Sequence, residues 1–226
     1  MFITTRTCRE VGVSQGSILG PLLYSIYAND LPLNVKHCQI HMYADDVRLY
    51  ISCTVDDVPN CISLINRDLH KIYLWASANR LRLNPKKSAV LITGQPKTFM
   101  MYLPPIHINN VNINLVESVK NLGIILNKQL NWSDDIKAHC GKTFAMLRNL
   151  WMTQYFTPIH IRMLLAKSYL LPTLIYGCEL FASCDAVSRR RLNVTFNNSA
   201  RYVFGIKRNC SISHYAKQIY NITFDN

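Results

Sequence analysis

Two adjacent aspartates, Asp45 and Asp46, lie between short apolar runs in the segment QIHMYADDVRLYIS, residues 39–52. Both runs have strand length and are rich in β-branched and aromatic residues, which predicts a β-hairpin with the acids at or beside its tip. Acids in a turn are usually only solvated turn residues. Two carboxylates on a hairpin would also suit a hard divalent cation such as Mg²⁺. Such sites support in-line phosphoryl transfer by two metal ions.

A glycine-rich segment precedes the acids, with the sequence GVSQGSILGPLLYSIYANDLP at residues 12–32. From Ile18 onward its apolar residues recur at helical spacing, which predicts a helix that ends before Pro32. Gln15 and Gly16 lie just before that helix, where glycine would let the backbone approach a nucleotide or base pair closely. The chain is therefore predicted to run from a glycine-rich loop through a helix to the acidic hairpin.

After the hairpin in the sequence, the apolar pattern predicts a long helix that reaches about Asn79. A short strand is then expected over residues 88–93, followed by a hairpin within residues 106–115 that turns at Asn109 and Asn110. Residues 119–126 are expected to form either another short strand pair or a strand with a glycine kink. The predicted domain boundary falls near residues 127–131.

Beyond this boundary the pattern changes to long helices. One helix is expected to begin at a Ser133 cap, a second to begin after Thr157 and to end before Pro172, and a third to begin near Asp185.

Charge is distributed unevenly along the 226 residues, although 49% of them are hydrophobic and can form a core. Residues 1–119 carry 11 Lys or Arg and 8 Asp or Glu, a net charge of +3, whereas residues 120–226 carry 14 and 5, a net charge of +9. This asymmetry indicates a polyanion such as nucleic acid as the partner of the second half, although a passive basic surface would have the same composition.

Several features of the sequence bear on where the chain works. No apolar run reaches about 18 residues, so we expect no transmembrane helix, no membrane partner and no signal peptide. The eight cysteines are scattered without zinc-binding spacing, which favours reduced thiols in an intracellular protein, nuclear or cytoplasmic and not secreted.

Four segments in this order resemble motifs B to E of reverse transcriptases from non-LTR (LINE-type) retrotransposons. Residues 12–32 resemble motif B, with its QGS and NDLP sequences, and residues 43–46 resemble motif C, the YADD box. Residues 83–88 resemble motif D, and residues 121–124 resemble the primer grip, motif E. The resemblance is strong over residues 8–126 and looser beyond.

The resemblance implies an α+β fold with two domains. Residues 1–126 would form a partial polymerase palm, with a small antiparallel sheet and packed helices, and residues 127–226 an all-helical thumb and connecting region. The palm is expected to be truncated, because motif A and its metal-binding aspartate precede motif B in palm polymerases. Glu10 is the only acid among residues 1–11, and its context does not match motif A.

The resemblance also implies RNA-directed DNA polymerase activity with Mg²⁺, or alternatively Mn²⁺. Asp45 would be a catalytic metal ligand, and Asp46 a second metal ligand with a weaker role. Lys87 best matches the motif D lysine that assists departure of pyrophosphate, and Lys86 is a competing match.

The positions that contact the substrates are implied in the same way. Tyr43 and Ala44 would lie beside the end of the primer, and Gln15 and Gly16 near the templating base pair and the incoming nucleotide. The implied partners are an RNA template, a DNA primer, deoxynucleoside triphosphates and a missing N-terminal fingers and palm segment.

Because motif A is absent, the chain is expected to be inactive alone, so its standing as an enzyme is open. The alternative is a non-catalytic, nucleic-acid-binding remnant of a retrotransposon. A third reading is an interaction protein whose helices pair with another chain.

Overall fold

In the computed structural model, residues 16–94, 103–207, 209–212 and 215 are described. Among these, no helix is long and apolar enough to cross a membrane.

The chain divides into two units. The first comprises Met1–Val90 and Lys97–Leu115, and the second comprises Leu91–Pro96 and Val116–Asn226. The predicted functional division into palm and thumb at residues 126 and 127 stays a prediction.

The first unit alternates helices with short strands. Its elements are α1 (Gly20–Tyr27), β1 (Gln39–Tyr43), β2 (Asp46–Tyr50), α2 (Val58–Ala78), β3 (Ala89–Val90), β4 (His107–Ile108), β5 (Val111–Asn112) and β6 (Asn114–Leu115), with 3₁₀ turns at Leu31–Asn34 and Pro85–Lys87. The helix predicted from Ile18 begins two residues later, with Pro21 in its first turn, where a missing N–H costs nothing.

The strands of the described residues form four two-stranded sheets instead of the single small antiparallel sheet that was predicted. Three pairs are antiparallel hairpins: β1–β2 and β4–β5 in the first unit, and β7 (Ser118–Asn121) with β8 (Ile124–Asn127) in the second. The pair β3–β6 is parallel, which the alternation of apolar residues could not reveal because it indicates faces and not partners. The coarser prediction of an α+β fold agrees with these helices and small sheets.

Helix α2 is the main buried element of the first unit. Ile62, Ile72 and Ala76 lie on its buried face, together with one charged residue, Asp68. Pro59 lies in its first turn as predicted.

The second unit begins with a hairpin and is helical from there on in its described part. Its elements are β7 (Ser118–Asn121), β8 (Ile124–Asn127), α3 (Ser133–Met152), α4 (Ile159–Leu165), α5 (Leu171–Ile175) and α6 (Ala186–Phe204), with 3₁₀ turns at Gln154–Phe156 and Cys178–Ser183. Helices α3 and α6 pack around a shared core, to which Ile136, Leu147 and Val203 contribute fully buried side chains.

Two of the predicted helix boundaries in this unit are wrong. Ser133 is the first helical residue instead of the cap, and Trp132 occupies the cap position. The Ser133 N–H and hydroxyl both donate hydrogen bonds to Oδ1 of Asn131. The helix that was expected to end before Pro172 continues through a π-helical turn, Ala166–Leu170, into α5. The wider turn accommodates a proline that cannot donate a backbone hydrogen bond.

The turn between β7 and β8 requires its glycine. Leu122 and Gly123 both have positive φ, 46° and 88°, as a two-residue hairpin turn often requires. A Cβ atom on Gly123 would lie 3.0 Å from the Tyr176 ring. The Tyr176 hydroxyl donates a hydrogen bond to the Leu122 carbonyl at 2.7 Å, so the ring lies directly against the turn.

We predict that Gly123→Ala lowers the free energy of unfolding by about 1–2 kcal/mol, because alanine is strained at this φ and meets the Tyr176 ring. Gly141→Ala is the matched control, since Gly141 lies within α3 with nothing near an added Cβ. There alanine should raise stability by about 0.5–1 kcal/mol. Urea unfolding of both variants measures the difference, and equal effects of the two substitutions would contradict the account of the turn.

Candidate functional site

The two aspartates lie at the tip of the hairpin, as predicted. Strands β1 and β2 pair in a register that places Tyr43 opposite Asp46, which leaves Ala44 and Asp45 as a two-residue turn. Ala44 adopts a positive φ of 51°, a conformation that costs energy for a residue with a Cβ. Asp45 is therefore part of the turn itself, and Asp46 is the first residue of β2.

Both carboxylates are open to solvent. Asp45 and Asp46 are exposed, and no hydrogen bond or ion pair within the described part of the chain engages either carboxylate. Adjacent, exposed carboxylates without protein partners retain their oxygen atoms for an external cation.

One face of the hairpin is polar and aromatic. Alternation and register place His41, Tyr43, Arg48 and Tyr50 on the same face as Asp46. The His41 ring stacks on Tyr50 with a centroid distance of 5.3 Å, and Nε2 lies 2.6 Å from the Tyr50 hydroxyl. Nη2 of Arg48 is buried without a hydrogen-bond partner among the described residues. This face therefore has both a stacked aromatic pair and a guanidinium donor that lacks an acceptor.

The hairpin is anchored by a buried carboxylate on α2. Asp68 has a relative exposure of 0%. Its Oδ2 accepts hydrogen bonds from the backbone N–H groups of His37 and Cys38, both at 2.8 Å, and its Oδ1 accepts one from Lys36 at 3.2 Å. These three residues immediately precede Gln39, the first residue of β1. The carboxylate therefore determines where the strand that leads to the acids begins.

The hydrogen bonds and burial around Asp68 favour its charged form. Burial raises the pKa of the Asp68 carboxyl, but the hydrogen bonds from Cys38, His37 and Lys36 lower it more, so the net pKa lies below its ordinary value. The pKa of the Cys38 thiol is raised to about 12, mainly by burial and next by the negative charge of Asp68. Asp68 is thus ionised and Cys38 protonated at neutral pH.

Tyr24 of α1 lies near the turn of the hairpin. Its side chain is half-buried. The pKa of its hydroxyl is raised, mainly by burial and next by the negative charge of Asp45. The other end of the helix is attached to α2, because the Tyr27 hydroxyl donates a hydrogen bond to the carbonyl of Asn79. Helix α1 is thus held beside the acidic turn.

The remaining predicted site residues lie outside the acidic hairpin. Lys86 and Lys87 are exposed in the Pro85–Lys87 turn, which is held by the Asn84 side chain accepting from the Lys86 N–H. No ion pair joins either lysine to the hairpin acids in the described residues. Gly16 is exposed with a φ of 83°, and Gln15 lies outside the described residues.

The second unit repeats the anchoring arrangement at its own hairpin. Asp135 of α3 is 1% exposed, and its Oδ1 accepts a hydrogen bond from the Ile125 N–H of β8 at 2.7 Å. Its Oδ2 lies 3.5 Å from Nε2 of His139, whose Nδ1 in turn lies 2.6 Å from the Thr173 carbonyl. Asp135 therefore links the predicted primer-grip hairpin to the helices of its unit.

The sequence analysis did not identify Tyr24, Asp68 or Asp135. A signal for Asp68 was present, since an acid on the buried stripe of an amphipathic helix needs a partner. Its partners, however, lie 30 to 32 residues away, at a distance that no periodicity reveals.

Comparisons with known proteins confirm the predicted family. The reverse transcriptase (RNA-dependent DNA polymerase) family matches residues 4–126, more than half of the chain. The chain is 28% identical over 208 residues to the probable RNA-directed DNA polymerase from transposon BS of Drosophila melanogaster. It is 27% identical over 225 residues to that from transposon X-element, and 25% identical over 205 residues to the RNA-directed DNA polymerase from mobile element jockey, both of the same species.

These matches cover most of this chain but little of each relative. They span 86%, 90% and 86% of the chain and 22%, 23% and 22% of the three relatives, in the same order. The chain therefore spans less than a quarter of the length of the curated relatives it matches. No solved structure shows a significant match to it.

We predict that Asp68→Asn lowers the free energy of unfolding at pH 7 by about 2–3 kcal/mol, since three backbone donors lose a charged acceptor. The pKa of Asp68 is lower in the folded state than its unfolded-state pKa of about 3.9. The charged carboxylate therefore stabilises the fold at pH values above about 3.9, and this stabilisation is lost as the pH falls through the folded-state pKa. The difference between wild type and Asp68→Asn should therefore shrink as the pH falls below about 4.

Urea unfolding from pH 7 to pH 3 measures this difference. Exposed Asp56 supplies the control Asp56→Asn, which should change stability by no more than about 0.5 kcal/mol. A difference between wild type and Asp68→Asn that is small at pH 7, or that does not vary with pH, would rule out the charged anchor.

Proposed function

The chain belongs to the reverse transcriptase family, in its non-LTR retrotransposon type, and we propose that it is a segment of an RNA-directed DNA polymerase. The observation that carries the proposal is the pair of exposed carboxylates on the anchored hairpin, Asp45 in the turn and Asp46 at the start of β2. The reaction would extend a DNA primer along an RNA template with deoxynucleoside triphosphates.

Asp45 and Asp46 are the residues that would hold the metal. Their donors are all oxygens, which suits Mg²⁺ or Mn²⁺. Such an ion, when bound, supplies activation of the primer hydroxyl and stabilisation of the leaving oxygen. Asp45 lies in the turn and is the principal ligand in this proposal, while Asp46 has the weaker role.

The neighbouring residues would position the substrates. Ala44, with its small side chain, and exposed Tyr43 would lie beside the end of the primer. Gly16, together with Gln15, would lie near the templating pair and the incoming nucleotide. Lys87 would stabilise the charge that develops on the departing pyrophosphate.

The donor set within the described residues is incomplete for two metals. They contain no group of three or more His, Cys, Asp or Glu side chains that could hold a metal ion. We propose that the further carboxylate comes from a fingers and palm segment that bears motif A. The apolar surface at α1 is consistent with such a partner, because Leu22 and Ile26 of the helix and Ile18 and Leu19 just before it are all exposed.

The second unit would bind the nucleic acid. The contacts proposed here come from six basic residues of α3 and α6, namely Lys137, Lys142, Arg148, Arg189, Arg190 and Arg191. All of them are exposed except Arg191, which is half-buried. Their charge would hold the phosphate backbone of the template and primer. An intracellular location, nuclear or cytoplasmic, remains part of the proposal.

We predict that the purified chain alone does not extend a DNA primer on an RNA template, and that adding a separate segment with motif A restores extension. In the restored reaction, Asp45→Asn should lower the rate by at least about a hundredfold, and Asp46→Asn by less. Exposed Asp56 supplies the control Asp56→Asn, which should leave the rate unchanged. Robust extension by the chain alone would contradict the need for a separate motif A segment. Extension that is insensitive to Asp45→Asn would contradict the proposed metal site.

The basic helices have their own test. Replacing Arg189 and Arg190 with glutamine should make the plot of log affinity for duplex DNA against log salt shallower, by about 0.9 for each phosphate that the variant no longer neutralises. The matched control replaces Arg67 and Arg82, two exposed arginines of the first unit, and should leave the slope unchanged. Equal changes in both double variants would show that α6 is not the binding surface.

A non-catalytic, nucleic-acid-binding remnant is the second candidate, and the incomplete donor set is the observation that favours it. It predicts the same salt-dependent binding, without extension even when the motif A segment is present. An interaction protein, the third reading, would bind that segment through α1 without a salt-dependent affinity for nucleic acid.

A further inference from the structure

A cavity in the second unit combines aromatic, cationic and amide side chains. It has a volume of about 370 Å³ and lies where the end of α3 and the Gln154–Phe156 turn meet the end of α6. Its lining residues are Trp151, Gln154, Tyr155, Asn198, Arg201, Gly205, Ile206 and Lys207. We propose that this cavity binds one unpaired nucleotide of a single-stranded nucleic acid. The inference goes beyond the proposed polymerase function, because it uses none of the hairpin residues and does not require synthesis.

The cations indicate an anionic group in the ligand. Arg201 has a buried Nε without a hydrogen-bond partner in the described residues, and its Nη2 reaches the Cys210 carbonyl only at 3.5 Å. A half-buried guanidinium with donors left over is stabilised by an acceptor that takes several hydrogen bonds, as a phosphate does. Exposed Lys207 adds a second positive charge at the same cavity.

The aromatic side chains indicate a planar group next to that anion. Trp151 is half-buried in the wall, whereas Tyr155 is 95% exposed. An aromatic ring in solvent offers its whole face for stacking, and bases of every kind stack on such rings. Phosphate on the cations and base on the aromatic side chains together describe a nucleotide.

The amides favour a nucleobase over an acidic peptide. Gln154 donates its Nε2–H to the Tyr202 carbonyl at 2.7 Å, which orients its side chain and leaves Oε1 to accept. Asn198 is only 9% exposed and still lines the cavity. Base edges offer the donors and acceptors that such amides pair with. A base within a duplex cannot expose its face, so the occupant must be unpaired.

The test measures binding of the full chain to a fluorescein-labelled 12-nucleotide single-stranded RNA and to the corresponding 12-base-pair duplex by fluorescence anisotropy. Tyr155→Ala should weaken single-strand binding by about fivefold or more and duplex binding by less than about twofold. Lys207→Gln should also weaken single-strand binding. The matched controls are Phe156→Ala, next to Tyr155 and 89% exposed but outside the lining, and Lys167→Gln, an exposed cation of the same unit.

Crosslinking gives a readout that does not depend on a variant's stability. Ultraviolet irradiation of the wild-type chain with a 5-iodouridine oligonucleotide should crosslink Tyr155 or Trp151, as mapped by mass spectrometry. Wild-type single-strand affinity in Tyr155→Ala, or an equally weakened affinity in Phe156→Ala, would overturn the proposal. Competition by a glutamate-rich peptide as strong as that by unlabelled RNA would also overturn it, since the site would then recognise charge alone.

Discussion

The position of the acidic hairpin depends on one buried carboxylate. Asp68 accepts hydrogen bonds from three consecutive backbone N–H groups, those of Lys36, His37 and Cys38, just before β1 begins. A β-hairpin of five-residue strands is marginally stable by itself, so its orientation must come from what it is attached to. The buried helix α2 supplies that attachment. A charge at 0% exposure is tolerated because the backbone donors satisfy it.

The second unit uses the same physical solution at a different hairpin. Asp135 of α3 is buried and accepts from the Ile125 N–H, while the Tyr176 hydroxyl donates to the Leu122 carbonyl in the turn. In both units a rigid helix places an acid beneath a short strand pair, and the tip of the pair remains accessible. Residues on such tips can contact a substrate while their backbone is held from below. The catalytic role proposed for the first tip and the primer-supporting role predicted for the second both require this rigidity.

Local chemistry made much of the fold predictable from the sequence. The acidic hairpin, the turn at Asn109 and Asn110, and α6 all follow patterns of few residues, and the structure confirms each of them. The failures concern interactions that those patterns do not contain. Trp132 and not Ser133 occupies the cap position of α3, and a π-helical turn let the later helix continue past Pro172.

The candidate site was predictable in part for the same reason. Asp45 and Asp46 stand in a recognisable motif, so their place at the tip could be inferred before the fold was known. Asp68 belongs to no motif, and Tyr24 lies within the motif B segment without being one of its predicted site residues. The importance of both comes from tertiary contacts. The parallel pairing of β3 with β6 was missed because alternation does not specify a partner strand.

Hydrogen exchange at the backbone amides of His37 and Cys38 tests the central claim most directly, since these N–H groups donate to Asp68. The account predicts that they are protected in the wild-type chain and exchange about tenfold faster or more in Asp68→Asn, together with the amides of β1. The β7–β8 amides of the second unit should keep their protection in the same variant. Unchanged exchange at His37, Cys38 and β1 would contradict the claim that this carboxylate holds the hairpin in place.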